Sequence, residues 1–325
     1  MRRNKLWALL TAAALLAACL GSCGRQEPAP ASTRHKVALV GKSQTSEFFR
    51  SVYAGAQAAA TEYNLELTIS SPEAEEDYET QNQLVSDAVA AGAEALVFSA
   101  ADYENSAQAI DEAAAQGVRI VAIDSNVHSK AVETYIGTDN HAAGQMAAQA
   151  ALDGMSGKLV VGIINYDVRS ANGQGREQGA RETFADSGRA RVAAVVNTLA
   201  ESGRAQADTT AMLEDHPEIN VVLAFNEPTS VGAAAAVAQM GLSSRVYLVG
   251  FDSNVATVEG LQNGSVDALV VQNPYAMGYM GVESAYQLLA GQGGRLPATM
   301  DTSTRVVTLD NMFSMDSQKA LFAFQ

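Results

Sequence analysis

The sequence predicts an α/β protein of parallel sheets covered by helices on both faces, and three observations carry that expectation. Apolar runs of four to six residues alternate with Ala-rich segments at helical spacing between residues 37 and 271. Nearly every run is followed at once by a polar residue. One run is written twice: "RIVAIDSN" closes at Asn126 and "YLVGFDSN" at Asn254, so Asp124 and Asp252 lie 128 positions apart at the ends of two similar strands.

In order, the predicted strands are 37–40, 65–69, 95–98, 118–123, 159–164, 192–196, 221–225, 246–251 and 268–271. Their near-continuous apolarity suits strands buried on both faces. Between them, Phe49, Val52, Ala56, Ala59 and Ala60, and later Val231, Ala234, Ala235 and Ala238, recur at helical spacing. Gly92, Gly117 and Gly241 stand where helices should stop. Ligands of such sheets bind outside the carboxyl ends of the strands. The residues standing there are Lys42 and Ser43, Ser99, Asp124 and Ser125, Asn165 and Asp167, Asn226 and Glu227, Asp252 and Ser253, and Gln272 and Asn273.

The amino terminus is read as an export address. Arg2, Arg3 and Lys5 precede a 13-residue apolar stretch, residues 6–18, which is short for a membrane span of about 20 residues. It runs into Leu-Ala-Ala-Cys at Cys19, which resembles a bacterial lipobox, with Leu-Gly-Ser-Cys at Cys23 as the alternative. The expected division is a signal peptide over 1–18 and a lipidated cysteine with a flexible tether over 19–35.

Those two cysteines are the only ones, so the exported body is held by an ordinary core and no internal disulfide. Its roughly 290 residues exceed what one core usually serves, which predicts two lobes. Removing residues 1–18 leaves 18 basic and 36 acidic residues, a net charge of −18. That balance argues against nucleic acid and against charge-driven binding to anionic lipid. His35, His128, His141 and His216 have no metal-ligand spacing, and neither a P-loop nor a Gly-x-Ser-x-Gly elbow occurs. No activated nucleophile, metal or cofactor is expected.

The segments "KVALVGKSQTSEFFRSVYAGAQAAATEYN", "RIVAIDSN", "YIGTDNHAAGQ", "LAFNEPTSVGAA" and "YLVGFDSN", in that order, resemble the type I periplasmic binding proteins, most closely the ribose-binding group that shares its fold with the sugar-sensing half of LacI-type repressors. The resemblance implies two Rossmann-like lobes joined by a three-strand hinge, with crossings near Thr138, Gln272 and Asp301. The lobes would be 36–138 plus 273–300 and 139–272 plus 301–325. It also implies the site. Phe48 and Phe49 match the aromatic pair that packs on the sugar ring, Asp124 and Asp252 the two carboxylates, Arg176 the second-lobe arginine, Asn226 the asparagine and Gln272 the hinge glutamine. Lys42, Ser46, Ser99 and Ser125 complete the expected ligand-binding set. Departures stand at Glu47, where proline is usual, at Lys42, Ser99 and Ser125, and near Ser202, where the pattern has an aromatic. These put ribose itself in doubt.

Blander readings stand beside these. Asp124 and Asp252 also suit helix N-caps. Arg176 also suits a surface pair with Glu177 or Glu182, and the two phenylalanines one core and one surface position. The acidic stretch at residues 71–79 reads as a helix first turn, with permease contact as a lesser candidate.

The function the resemblance implies is that of a lipid-anchored solute-binding protein, not an enzyme. It would be a monomer that captures a monosaccharide or related solute by hinge closure and passes it to an ABC permease and its ATPase. The alternative is a ligand sensor read by a membrane kinase or chemoreceptor. A LacI-type regulator is disfavoured by the export signal, and an exported hydrolase is remote.

Overall fold

The structure, a computed structural model, describes residues 34–166 and 168–322. The expected signal peptide, Cys19, Cys23 and Asp167 lie outside the described residues.

Strands β1 (Lys36–Val40), β2 (Glu66–Ser70), β3 (Ala95–Phe98), β4 (Arg119–Ile123), β5 (Val132–Gly137) and β11 (Thr299–Asp301) form one sheet, ordered β11-β5-β4-β3-β1-β2 and parallel throughout. Strands β6 (Leu159–Tyr166), β7 (Ala190–Thr198), β8 (Val221–Ala224), β9 (Tyr247–Phe251), β10 (Ala268–Val271) and β12 (Arg305–Thr308) form a second, ordered β12-β10-β9-β8-β6-β7. Only the β10–β12 pair of that sheet is antiparallel. The two sheets therefore repeat one strand order and differ in the direction of the edge strand, and β4 and β9, which carry the Asp-Ser-Asn repeat, hold the same place in each.

Helices α1 (Glu47–Glu62), α2 (Tyr78–Ala90), α3 (Ala107–Ala115) and α9 (Pro274–Leu289) cover the first sheet, and α4 (Asn140–Gly154), α5 (Ala171–Ser187), α6 (Ser202–Asp215), α7 (Glu227–Gln239), α8 (Val255–Asn263) and α10 (Met315–Leu321) belong with the second. Each sheet has an apolar cluster on either face. Leu39, Val97 and Ile123 point to one side of the first sheet, and Val40, Leu96 and Phe98 to the other. Strands buried on both faces need the apolar runs seen in the sequence, because burial of each large aliphatic side chain is worth about 1.5–3 kcal/mol.

The chain crosses between sheets at 138–139, 272–273 and 302–304. The last lies beyond the expected boundary before Asp301, because Thr299, Met300 and Asp301 pair with Tyr135, Ile136 and Gly137 of the first sheet. Strands β5, β11 and β12 were not among the predicted runs. Their sequences, VETYIG, TMD and RVVT, are short or interrupted by polar residues and carry no apolar signature.

The α1 stripe is buried as its spacing predicts. The α7 stripe is not: Thr229, Gly232, Ala233, Ala236 and Val237 face inward, and Ala238 is exposed. A helix this rich in alanine has almost no apolar contrast between its faces. The buried one is chosen by packing on α6, where a Cβ at position 232 would meet Ser202 O at 2.5 Å. Gly92, Gly117 and Gly241 follow helix ends with φ of 86°, 91° and 67°.

Candidate functional site

The carboxyl ends of both sheets open on one cleft. Asp124 and Asp252 leave β4 and β9 with φ of 56° and 65°, a left-handed conformation that costs a non-glycine residue of order 1–3 kcal/mol. Their N–H groups still bond to the neighbouring strands, to Ile136 O and Val270 O. The strain therefore turns each carboxylate off its strand end without breaking the ladder. Neither aspartate is a helix N-cap; Asn254 caps α8 through a capping box with Thr257.

Asp124 is 3 % exposed and is held from three sides. Ser99 Oγ donates to Oδ2 at 2.8 Å, Lys42 Nζ lies 3.3 Å from Oδ2, and Asn172 Nδ2 of the second lobe donates to Oδ1 at 2.9 Å. Burial disfavours the Lys42 charge, but Asp124, Tyr166 and Glu75 together more than offset it and hold the ammonium above the ordinary lysine value. Lys42 is thus already paired within its own lobe. Its Nζ stands 5.8 Å from the Phe49 ring centre and 5.9 Å from that of Tyr166.

On the opposite wall, Arg176 is 1 % exposed. Its guanidinium donates to Asn140 Oδ1 at 2.8 Å, to Gln272 Oε1 at 2.9 Å and to Phe225 O, and it stacks 4.5 Å from the Phe251 ring centre. The surface-pair reading of Arg176 is excluded, since Glu177 pairs with Arg181 and Glu182 with His141. Gln272 donates to Asp252 Oδ1 at 2.7 Å, and its Oε1 also accepts from Thr138 Oγ1 at 2.8 Å. Two crossing segments thereby meet at one amide. Burial pushes the Asp252 carboxyl up to about 7; Arg176 and the Gln272 hydrogen bond pull it down, and Glu227 and Asp124 push it further up.

Between these walls lies a narrow cavity of about 20 Å³, room for about one water molecule, because side chains of the two lobes meet across it. Lys42, Ser46, Phe48, Phe49, Asp124, Arg176, Asn226, Asp252 and Gln272 all line it. Phe48 and Phe49 meet edge to face, with ring centres 5.3 Å apart; Phe49 is also a core residue, 2 % exposed. Two expected ligand-binding residues, Ser99 and Ser125, do not line the cavity. Ser99 stands behind Asp124 and orients it, and Ser125 is fully buried, its carbonyl accepting from Ala100 N.

The cavity also has walls that sequence reasoning missed. Tyr166, at the end of β6 and 4 % exposed, supplies a second-lobe aromatic far in sequence from Ser202. Asn172 and Glu227 also face the cavity, and so does Glu75, which corrects the reading of residues 71–79 as a helix first turn. In that stretch Asp77 is the cap, accepting from Thr80 N, and only Glu79 lies in the first turn. Asn226 and Glu227 stand together at a strand end, where no local signal separates a carboxylate that enters a cleft from one that caps a helix.

Asn226 does both. Its Oδ1 accepts from Thr229 N and Thr229 Oγ1 in the α7 capping box, while Nδ2 is buried with no hydrogen-bond partner among the described residues. Asn172 Oδ1 is likewise buried and unpaired. A buried polar atom left unmet costs about 1–3 kcal/mol, so this donor and this acceptor mark where a polar solute would be held. Several bonds tie the lobes across the opening. Glu227 Oε2 accepts from Ser46 Oγ at 2.8 Å and Phe48 N at 3.1 Å, and Glu76 Oε1 accepts from Ala200 N at 2.5 Å.

With this geometry in place, the comparisons with known proteins are specific. The model of the periplasmic binding protein domain matches residues 37–293. The chain belongs to that family. Among its relatives, this periplasmic binding protein is 27 % identical to the D-ribose/D-allose-binding protein of Pseudomonas aeruginosa, over 87 % of this chain and 91 % of the relative. It is 26 % identical to the ribose import binding protein of Bacillus subtilis, over 75 % and 78 %. Among solved structures, a carbohydrate transporter solute binding protein from Agrobacterium radiobacter in complex with D-arabinose superposes with a TM-score of 0.86 at 28 % identity, covering 89 % of this chain and 99 % of that one. One from Agrobacterium vitis with bound D-fucose gives 0.84 at 26 %, covering 88 % and 99 %. The two-lobed α/β fold of this periplasmic binding protein is that of its solved relatives.

Proposed function

We propose that the protein captures a monosaccharide or sugar-like solute between its lobes and delivers it to an ABC importer. The observation that carries this reading is the buried pair of unmet atoms, Asn172 Oδ1 as acceptor and Asn226 Nδ2 as donor, beside the carboxylates of Asp124 and Asp252 and the rings of Phe48, Phe49 and Tyr166. A sugar hydroxyl is donor and acceptor at once and satisfies both kinds of group, while the C–H faces of its ring suit aromatic walls. The sugars carried by the relatives support the same class.

Capture works by differential contact. A solute touching Asp124 and Phe49 on one lobe and Arg176, Asn226 and Asp252 on the other gains its full set of bonds only when the lobes are together, so it shifts the hinge equilibrium toward closure. The chain's own chemistry is to bind and orient, with no bond broken. Export with a lipid anchor at Cys19 would place the protein beside a permease, which reads the closed form.

A thermal-shift series tests this on the full chain, purified in detergent, against aldoses, ketoses, polyols, amino sugars and nucleosides. A concentration-dependent rise with one of the sugars or polyols is expected. No rise with any of them, for a cooperatively melting protein, removes the sugar reading.

A further inference from the structure

Glu75 is a carboxylate that the fold brings to the cleft, within the field of Lys42. It sits in the loop between β2 and α2, partly buried, and forms part of both the inner cavity wall and the outer opening. Among the described residues it makes no hydrogen bond and no ion pair, although its neighbour Glu76 is tied across the cleft to Ala200 N. That tie belongs to the lobe-to-lobe arrangement, so Glu75 joins the wall when the lobes are together.

The charges around Glu75 are already committed. Lys42 is paired with Asp124, and Arg176 is spent on Asn140, Gln272 and Phe225. Glu227 is satisfied by Ser46, Phe48 N and Asn254 Nδ2. Two cations therefore face four carboxylates on this wall set, and among the described residues Glu75 is the one of the four with no hydrogen-bond donor. An independent observation points the same way: Asn172, 2 % exposed, lines the same cavity, and its Oδ1 is buried without a hydrogen-bond partner among the described residues.

Resting on the reading of the cleft as a sugar site, we propose that Glu75 is a specificity-determining ligand contact, whose carboxylate accepts a hydrogen bond from the solute, so that the cleft takes neutral or basic polyhydroxy compounds and refuses those bearing a carboxylate or phosphate. An anionic group at this position would meet Glu75, Glu227 and Asp124 with no free cation to offset them. A hydroxyl or ammonium would supply the missing donor, and charge-assisted hydrogen bonds of this type are about twice as strong as neutral ones.

The protonation state of Glu75 fits this role. Burial pushes its carboxyl up to about 7; Lys42 works against that, and Asp124, Glu76 and Glu227 add to it. A solute donor favours the charged form, so binding at pH 7 releases part of a proton.

The test uses the full chain in detergent and matched sets sharing one ring: D-glucose, D-glucosamine and D-glucuronate, the same three from galactose, and D-ribose, D-allose and D-ribose 5-phosphate. Wild type should bind a neutral or amino member and give no response to the acid or phosphate of that ring. Glu75→Ala should weaken that binding tenfold or more. Glu75→Gln, which keeps the shape, should weaken it less and reduce the proton release measured by calorimetry in two buffers. Equal affinity in wild type and both variants, or tightest binding by an acid or phosphate, overturns the role of Glu75 and leaves the sugar reading intact. Binding of none of the compounds by wild type removes both together.

Discussion

Asn172, in the first turn of α5, donates a 2.9 Å hydrogen bond to Asp124 Oδ1 in the opposite lobe. The aspartate of the first Asp-Ser-Asn copy is therefore read by the second lobe, while that of the second copy is held inside its own lobe by Gln272. The repeat supplies two equivalent strand ends, and the surroundings give them different tasks. Asp124 can couple closure to binding, whereas Asp252 carries a buried, weakly compensated carboxyl beside the hinge amide.

Replacing Asp252 with asparagine should weaken solute binding at least tenfold, measured by titration calorimetry with whichever sugar stabilises wild type. The solute-free melting temperature at pH 8 should rise by about 2–4 °C, as expected when roughly 1 kcal/mol of buried charge is removed. Unchanged affinity would take Asp252 out of the site.

The solute-free protein should lose stability as pH rises from about 5 to 7.5. Asp252 and Glu75 stand at about 7 in the folded state against ordinary values of 3.8 and 4.5, so the folded chain holds more protons than the unfolded one in that window, and each deprotonation is less favourable when folded. Carboxyls held low, such as Asp77 and Glu94, act in the opposite sense at more acid pH. Melting curves at half-unit intervals, with Asp252→Asn flattening part of the slope, check the sign.

Gly144→Ala should displace Arg176 without touching the cleft directly. A Cβ at 144 would lie 2.0 Å from Arg176 O, where α4 and α5 cross. We expect a stability loss of about 1–3 kcal/mol from overpacking and a fall in affinity beyond that of a surface control such as Gly203→Ala. Normal affinity in the variant would show that the crossing does not position the guanidinium.

Glu227→Ala removes the acceptor of Ser46 Oγ, Phe48 N and Asn254 Nδ2. Because Ser46 does not cap α1 with its own side chain, Glu227 meets that helix start from the other lobe. Loss of hydrogen bonds to a charged group, about 1.5–3 kcal/mol each, should raise Kd about tenfold or more. Small-angle scattering should show a more extended solute-free form. An unchanged scattering profile would assign Glu227 to local capping alone.

Metabolic labelling with a fatty-acid analogue should tag wild type and not Cys19→Ser. Loss of the tag in Cys23→Ser alone would move the anchor to the second cysteine.

The layered α/β architecture was legible in the chain alone, since alternating apolar runs and Ala-rich helices can be buried in few other ways. The chain also placed most of the cleft, because strand-end residues such as Asp124, Asn226, Asp252 and Gln272 inherit their position from the strand before them. The edge and crossing strands β5, β11 and β12 were not legible, for their pairing comes from neighbours distant in sequence and not from their own apolarity. The same holds for Glu75, Tyr166 and Asn172. A carboxylate in an acidic loop, or an amide in a helix first turn, has a sufficient local explanation. Only the approach of the two lobes desolvates it, removes its alternatives and leaves it facing a solute. Ser99 and Ser125 show the converse: both stand at strand ends, yet Ser99 is turned onto Asp124, Ser125 is fully buried, and neither lines the cavity.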